Sequence, residues 1–170
     1  MKHRFVPMVL AGLLAACGST QDESAPGPAT SADTESPEYA VLRYRQGLMR
    51  VIDYKSGKLR GMADGDIPVD EAEFVRSADD LAAAAAMLDD AFPEGTDSGS
   101  LPGASNALPD IWSDWTDFVE HRATLQAAAQ TVADQARNGG FGAARESASE
   151  LLGPACGSCH RSFRRRSDLQ

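Results

Sequence analysis

The chain has 170 residues and carries 16 Lys and Arg against 25 Asp and Glu, which gives a formal net charge of −9. This acidic balance argues against nucleic acid as a partner. The sequence contains no evident internal repeat, no Gly-rich phosphate loop and no H-E-x-x-H metal motif, so nothing in it indicates nucleotide binding or a metalloprotease.

The N-terminal segment has the pattern of an export signal. Met1 to Arg4 form a short basic start, and the apolar run from Phe5 to Ala16 is too short to span a membrane. Leu14-Ala15-Ala16-Cys17 resembles the lipobox of bacterial lipoproteins, in which the cysteine is lipidated and becomes the mature N-terminus. The alternative is an ordinary secretory signal cut near Ala16, which leaves Cys17 as a thiol. We favour lipidation because an unassigned cysteine in an exported chain risks intermolecular pairing.

Lipidation of Cys17 has consequences for the mature protein. Stable anchoring takes more than one acyl chain, and the lipobox resemblance implies a multiply acylated cysteine. We therefore expect residues 1–16 to be removed and the protein to lie on the periplasmic side, anchored by lipid to a bacterial membrane, with the outer membrane favoured. The cut removes Lys2 and Arg4 and no acid, which leaves 14 basic against 25 acidic residues and a net charge of −11.

A tether and one domain follow the signal. Gly18 to Ser36 is rich in Ser, Thr, Pro, Gly, Asp and Glu and has almost no large apolar residues, so it cannot bury a core. We interpret residues 17–36 as the lipidated cysteine and a disordered linker. The remaining segment, 37–170, has about 130 residues, enough for a single domain with a substantial core.

Four segments carry helical periodicity, and no segment has the pattern of a strand. The first is predicted from Ser36-Pro37, a cap followed by proline at the first helical position, to about Met62. The second begins at the acidic cap Asp70 and runs to about Phe92. The predicted inward residues of these two helices are Leu42, Leu48, Met49, Ile52, Leu59, Met62, Phe74, Leu81 and Leu88.

A Gly/Pro/Ser-rich loop from Pro93 to Pro109 separates the two halves of the domain. The third helix is predicted from Asp110 to about Arg137, where Asn138-Gly139-Gly140 ends it. The fourth is predicted from Phe141 or Gly142 to about Arg166, with a kink at Gly153-Pro154. The predicted inward residues of the third helix are Ile111, Trp115, Phe118, Leu125 and Val132. The predicted fold class is all-α, an antiparallel four-helix bundle whose interior can hold a cofactor.

The strongest chemical signal is Cys156-Gly157-Ser158-Cys159-His160 near the end of the fourth helix. C-x-x-C-H attaches a c-type haem: two thiols form thioethers with the haem and the adjacent imidazole coordinates the iron. On a helix these three side chains share one face. A thioredoxin-like dithiol would lie near a βαβ pattern, and a zinc site needs more Cys or His ligands. Neither context is present, so we predict one covalent haem c.

The domain resembles the cytochrome c′ family. The resemblance rests on Tyr44-Arg45-Gln46-Gly47-Leu48-Met49 in the first helix, Pro109-Asp110-Ile111-Trp112-Ser113-Asp114 at the start of the third, and Cys156 to Arg164 in the fourth. It covers roughly residues 37–167. The resemblance implies an up-down-up-down topology and a single haem, and it leaves a homodimer open.

The resemblance also implies roles for individual residues. His160 matches the proximal iron ligand. Met49 matches the residue that faces the sixth coordination position, as a blocking wall or as a ligand, with an ordinary core methionine as the alternative. Phe92 is expected to line the same side of the haem as Met49, and the alternative is that it only packs in the core. Arg45 matches a residue near a haem propionate; the alternative is that it lies on a solvated helix face. Arg164 matches an arginine near the proximal pocket; the alternative is that its charge only complements the dipole at the C-terminus of the helix.

These implications predict a haem protein that is not an enzyme. The favoured function is NO or CO binding at a five-coordinate iron, with or without electron transfer. The alternative is a six-coordinate His160/Met49 electron carrier. A haem enzyme is disfavoured because no distal His or Arg constellation can be assigned from the sequence.

Two charged groups lie outside this scheme. The basic cluster Arg161, Arg164, Arg165 and Arg166 either steers an acidic redox partner protein toward the haem or only complements the helix dipole. His121 lies among charged residues, and we predict that it is exposed and not a ligand.

Overall fold

The structure is a computed structural model, and it describes residues 33–166. The signal peptide, Cys17 and the linker up to residue 32 lie outside the described residues, so these assignments stay predictions. Within the predicted linker, Asp33–Glu35 form one 3-10 turn. None of the described helices is both long and apolar enough to cross a membrane.

Helix α1 spans Pro37–Asp64, close to its predicted bounds. Its first turn is capped by Ser36, whose Oγ accepts a hydrogen bond from the Tyr39 amide at 3.1 Å, and proline occupies the first helical position. The helix ends at Gly65, which takes the left-handed conformation (φ 87°) that glycine adopts without strain. The capping signals in the sequence therefore fix both ends of α1.

Helix α2 spans Glu71–Ala86 and continues as a 3-10 turn, Met87–Asp90. Asp70 caps it by accepting a hydrogen bond from the Glu73 amide at 2.9 Å. Ion pairs to α1 join Lys58 to Glu73 and Lys55 to Asp80, so the two helices run antiparallel. From one ion pair to the other, the residue number falls in α1, from 58 to 55, and rises in α2, from 73 to 80.

The third and fourth bundle helices are separated by a break at Gly140. A short helix, α3 (Asp110–Ser113), precedes α4, which spans Trp115–Glu150 with non-helical backbone at Gly140 (φ 68°, ψ −163°). Helix α5 then spans Leu152–Phe163. Phe118 packs on Phe163 and His121 contacts Ser158, so the chain reverses at Gly140 and its two arms run antiparallel. The predicted stop at Asn138-Gly139-Gly140 lies at this reversal.

The described elements form an antiparallel, up-down-up-down four-helix bundle, as predicted. Arg137 pairs with Asp79 in the middle of α2, and Arg122 pairs with Asp89 in the 3-10 turn after α2, so α2 and α4 are also antiparallel. No strand occurs within residues 33–166, where an isolated bridge joins Ala107 to Arg164. The interruption predicted at Gly153-Pro154 occurs two residues earlier, at Leu151, which separates α4 from α5, while Gly153 and Pro154 lie in the first turn of α5. α5 ends at Phe163, three residues before the predicted end, and Arg164 is extended.

Most of the predicted inward residues are buried, while Met49 is half-buried and Trp115 is exposed. Those buried are Leu42, Leu48, Ile52, Leu59, Met62, Phe74, Leu81, Leu88, Ile111, Phe118, Leu125 and Val132. Trp115 is 41% exposed, so the prediction for this residue was wrong. The backbone leaves helical geometry at Asp114, which rotates Trp115 away from the core, and Trp112 packs against the core instead. Small alanines such as Ala78 and Ala129 are fully buried and let α2 and α4 pack closely.

Replacement of Gly140 by alanine is expected to destabilise the bundle by about 1–3 kcal/mol, because its φ and ψ lie in a region that is essentially restricted to glycine. The matched control is Gly142→Ala: Gly142 is helical with open space around it, so alanine there is expected to be neutral or stabilising by up to about 1 kcal/mol. Urea midpoints of the two variants and the wild type measure both effects. Equal midpoints for the two variants would contradict a strained reversal.

Candidate functional site

The haem-attachment motif occupies the last two turns of α5. Cys156, Cys159 and His160 are half-buried on a helix whose inner face is anchored by Leu152, Ala155 and Phe163. The two cysteines form no disulfide and pack against the core. Their spacing of three and four residues brings them to one helical face, as predicted.

The surroundings of the motif keep these groups uncharged. Burial raises the pKa of the Cys159 thiol to about 11, and it also raises the pKa of Cys156. The pKa of His160 is lowered, first by burial and then by the nearby Arg164 cation. Neutral imidazole is the form that coordinates a metal. Within residues 33–166 no group of three or more His, Cys, Asp or Glu side chains is placed to hold a metal ion, so a zinc site has no support there.

A large cavity of about 660 Å³ adjoins the motif between α1, the loop before α3, α4 and α5. A second chamber, of about 40 Å³, lies next to it and shares much of its wall. The shared residues are Met49, Ile52, Phe92, Phe118, Cys156, Cys159 and His160. The two spaces therefore form one site that reaches from the protein surface to the centre of the bundle.

The apolar wall comes from α1, α4 and the end of the α2 segment. Met49 is half-buried, and Phe92 is buried with its ring 4.7 Å from that of Phe118 in an edge-to-face contact. The structure thus brings Met49, Phe92 and His160 to one cavity, as the resemblance implies. Ile52 and Phe118 belong to this wall too, although sequence reasoning identified them only as inward positions.

Arg45 lies in the cavity wall and is 5% exposed, so the alternative of a solvated helix face is wrong. Its guanidinium donates to Thr96 Oγ1 at 2.8 Å, to the Thr96 carbonyl at 2.7 Å and to Ser105 Oγ at 3.2 Å, and it lies 4.9 Å from the centre of the Phe92 ring. Burial lowers the pKa of Arg45 to about 10, so it stays a cation at neutral pH. The cation holds the loop before α3 against α1 and has no carboxylate within the ion-pair distance among the described residues.

Arg164 also lines the cavity, next to the motif that precedes it. Its backbone is extended and bridges to Ala107, while the amide of Leu108 donates to the Phe163 carbonyl at 3.0 Å. This pairing places the loop and the end of α5 side by side. The electrostatic effect of Arg164 on His160 agrees with the implied position near the proximal pocket.

His121 is half-buried, so the prediction that it is exposed was wrong. Its Nδ1 lies 3.1 Å from Ser158 Oγ, its Nε2 lies 3.6 Å from Asp117, and its ring packs edge-on against Phe163. The physical reason is helical spacing: position 121 is three residues after Phe118 and four before Leu125, two inward positions of the same helix. That spacing was the signal that could have found it, and the charged neighbours concealed it.

Two further arginines of α1 line the cavity, Arg50 and Arg60. Sequence reasoning missed both, although Arg60 lies eleven residues, three turns of helix, after Met49. The Nε atom of Arg60 is buried with no hydrogen-bond partner in the protein. A buried donor without a partner is costly, so this atom marks a place where a bound acceptor fits.

These features fit a haem. The motif supplies two thiols and an imidazole on one face, the walls are largely apolar, and Arg45 and Arg60 are cations suited to propionate carboxylates at the edge of the cavity. The fold and the site together define a c-type haem protein built on a four-helix bundle.

The chain belongs to the cytochrome c′ family. The family described as Cytochrome C' matches residues 40–164. Cytochrome c′ of Halomonas halodenitrificans is 36% identical over 129 residues, which cover 75% of this chain and 97% of that protein. The chain binds one covalent c-type haem, for which Cys156 and Cys159 are the anchors.

Solved structures show the same fold. Cytochrome c prime from Shewanella frigidimarina superposes with a TM-score of 0.68 at 27% identity and covers 77% of this chain and 98% of its own. A nitric oxide complex of a variant of cytochrome c prime from Alcaligenes xylosoxidans superposes with a TM-score of 0.67 at 23% identity. The match covers 76% of this chain and 97% of that chain. At this identity the second likeness shows the fold alone.

Proposed function

We propose that the protein binds NO or CO at a haem iron that has His160 as its only protein ligand. The iron supplies one open coordination position and one-electron redox chemistry when the haem is bound. The observation that carries the proposal is the apolar wall of Met49, Ile52, Phe92 and Phe118 in the cavity that also holds the imidazole of His160. Carbon-lined space of this kind admits a small, weakly polar gas and disfavours polar or bulky ligands.

The polar side chains at the small chamber are engaged elsewhere, which supports gas binding over enzymatic turnover. His121 and Arg122 line this chamber, contrary to the expectation that no His or Arg could be placed there. The nitrogens of His121 are occupied by Ser158 and Asp117, while Arg122 pairs with Asp89 and reaches the Leu88 carbonyl. Because both side chains already have protein partners, we propose that the protein is not an enzyme.

A titration of the reduced protein with CO tests the proposal. The absorption spectrum should change until one CO is bound per haem, while imidazole, a bulkier and polar ligand, should leave the spectrum of the oxidised protein nearly unchanged. Full resistance to CO would contradict the proposal. Tight binding of imidazole would show that the distal space is larger and more polar than the wall of Met49 and Phe92 allows.

Electron transfer with Met49 as the second iron ligand is the other candidate function. The half-buried Met49 lines both parts of the cavity together with His160, and this placement supports the candidate. A thioether ligand would close the coordination position and leave one-electron transfer to a redox partner protein as the task.

We also propose that the mature protein is tethered to the periplasmic face of a bacterial membrane through lipid on Cys17. The support is the lipobox-like sequence that precedes Cys17. Labelled fatty acid fed to the bacterial host should enter the wild type but not Cys17→Ser, whose haem spectrum should be preserved. An unlabelled, soluble wild type would contradict the anchor. Size-exclusion chromatography of Cys17→Ser tests the homodimer that the resemblance leaves open.

A further inference from the structure

Arginines without partners collect around the haem cavity. The other long basic side chains of the described chain are engaged, for example in the ion pairs of Lys55 with Asp80 and of Arg137 with Asp79. The exceptions form neither an ion pair nor a side-chain hydrogen bond within residues 33–166. They are Arg50, Arg60, Arg161, Arg164, Arg165 and Arg166, and we call this set the arginine rim.

Three members of the arginine rim line the large cavity, and the other three lie beside them at the end of α5. Arg50, Arg60 and Arg164 line the large cavity, and all of the rim except the half-buried Arg60 is exposed. Arg161 lies over the attachment motif, since a methyl group on Gly157 would stand 3.1 Å from its Nη1. Arg165 and Arg166 follow directly at the end of α5. Cations from α1 and from the end of α5 thus lie at or beside the cavity that would hold the haem.

The rim contrasts with the rest of an acidic chain. Among the acidic residues of the described chain, Asp53 is the one that also lines the large cavity. Two haem propionates neutralise at most two of the rim cations, which leaves the mouth positive. Clustered cations without counter-charges repel one another, and complementarity to the dipole of α5 acts only within its last turn, so a bound anionic surface accounts for the whole set better than packing does.

We propose that the arginine rim is the docking surface for an acidic one-electron carrier protein, which transfers one electron from its reduced cofactor to the oxidised haem iron. The carrier is thereby oxidised by one electron and the iron is reduced from ferric to ferrous. Electrostatic complementarity of this kind accelerates encounter and fixes orientation. The proposal rests on the electron-transfer part of the proposed function and is independent of how CO binds.

The experiment compares two small reductants of opposite charge on the haem-loaded protein. Iron(II)–EDTA is an anion and hexaammineruthenium(II) is a cation, and each gives one electron to the ferric haem. If the rim dominates, added salt between about 10 and 200 mM slows reduction by the anion roughly three- to tenfold and does not slow reduction by the cation. The net charge of −9 predicts the opposite signs, so the two accounts are separable.

Charge-reversal variants test whether the salt dependence of reduction comes from the arginine rim. In Arg165→Glu/Arg166→Glu the salt dependence with the anion should largely disappear while CO binding is unchanged. Arg76→Glu changes charge by the same amount per site at a residue of α2 outside the arginine rim, and it should retain the wild-type dependence. Poly-L-glutamate, a probe for an acidic protein surface, should inhibit reduction by iron(II)–EDTA in the wild type and much less in the double variant.

Three results would overturn the proposal. The first is a salt dependence whose sign follows the net charge of the chain. The second is equal inhibition by poly-L-glutamate in the wild type and the double variant. The third is rim-dependent binding to phosphatidylglycerol vesicles at 150 mM salt without any effect of poly-L-glutamate, which would assign the rim to a membrane surface. Each leaves the CO titration unaffected, so the docking proposal fails separately from gas binding.

Discussion

Cys156→Ala/Cys159→Ala is expected to yield a polypeptide that is largely free of haem. Both thiols lie on one face of α5 beside the imidazole of His160, and they are the only covalent anchors that the described chain offers to a haem. Extraction of the wild type with acid and acetone should leave the haem on the polypeptide. Colour that passes wholly into the organic phase would contradict covalent attachment.

The same double variant is also expected to lose stability. Without haem, a space of about 660 Å³ at the centre of the bundle loses its apolar filling. Because a ligand that binds only the folded chain stabilises it, we expect the Tm to fall by roughly 10 °C or more. Cys17→Ser is the matched control: it also removes a thiol, and its haem content and Tm should equal those of the wild type. An equal loss of haem in both variants would show that the motif is not the anchor.

Met49→Ala is expected to speed CO binding to the reduced protein by roughly tenfold, which corresponds to about 1.4 kcal/mol of barrier. The reason is steric: Met49 forms the apolar wall with Ile52, Phe92 and Phe118, and alanine opens that wall. The spin state of the iron should not change, because the proposed function has Met49 as part of the wall and not as a ligand. Stopped-flow mixing with CO and an absorption spectrum of the same sample measure both quantities.

The matched control for this prediction is Met87→Ala. Met87 is 51% exposed after α2 and does not line the cavity, so CO binding should keep its wild-type rate. If Met49 is a ligand instead, the wild type resists CO and shows the long-wavelength charge-transfer band of thioether ligation, and Met49→Ala abolishes the band. That result would establish the six-coordinate electron carrier.

The helices were predictable because their signals are local. Ser36, Asp70 and Gly140 mark two starts and the reversal, and each lies within a few residues of an end in the structure. Periodicity identified the core where the helix is regular. It was wrong for Trp115 because one non-helical residue, Asp114, rotates the face that follows, and such a break has no strong local signature.

The features of the site also divide into those that local sequence signals predict and those that depend on residues far apart in the chain. Cys156, Cys159 and His160 were predictable because the attachment chemistry dictates a contiguous motif, and the structure brings Met49, Phe92, Arg45 and Arg164 to the cavity beside them. The partners of Arg45 were not predictable, because Thr96 and Ser105 reach it through a loop 51 and 60 residues away. His121 was misassigned because its charged neighbours outweighed its helical spacing.

The most direct test of the account is the spin state of the unliganded wild-type iron, measured by electron paramagnetic resonance of the oxidised protein and by the absorption spectrum of the reduced protein. The account has His160 as the only protein ligand and Met49 as a wall. It predicts a high-spin iron in both oxidation states and a spectrum that shifts when CO is added. A low-spin iron in both states, with a reduced spectrum that CO does not change, would contradict it.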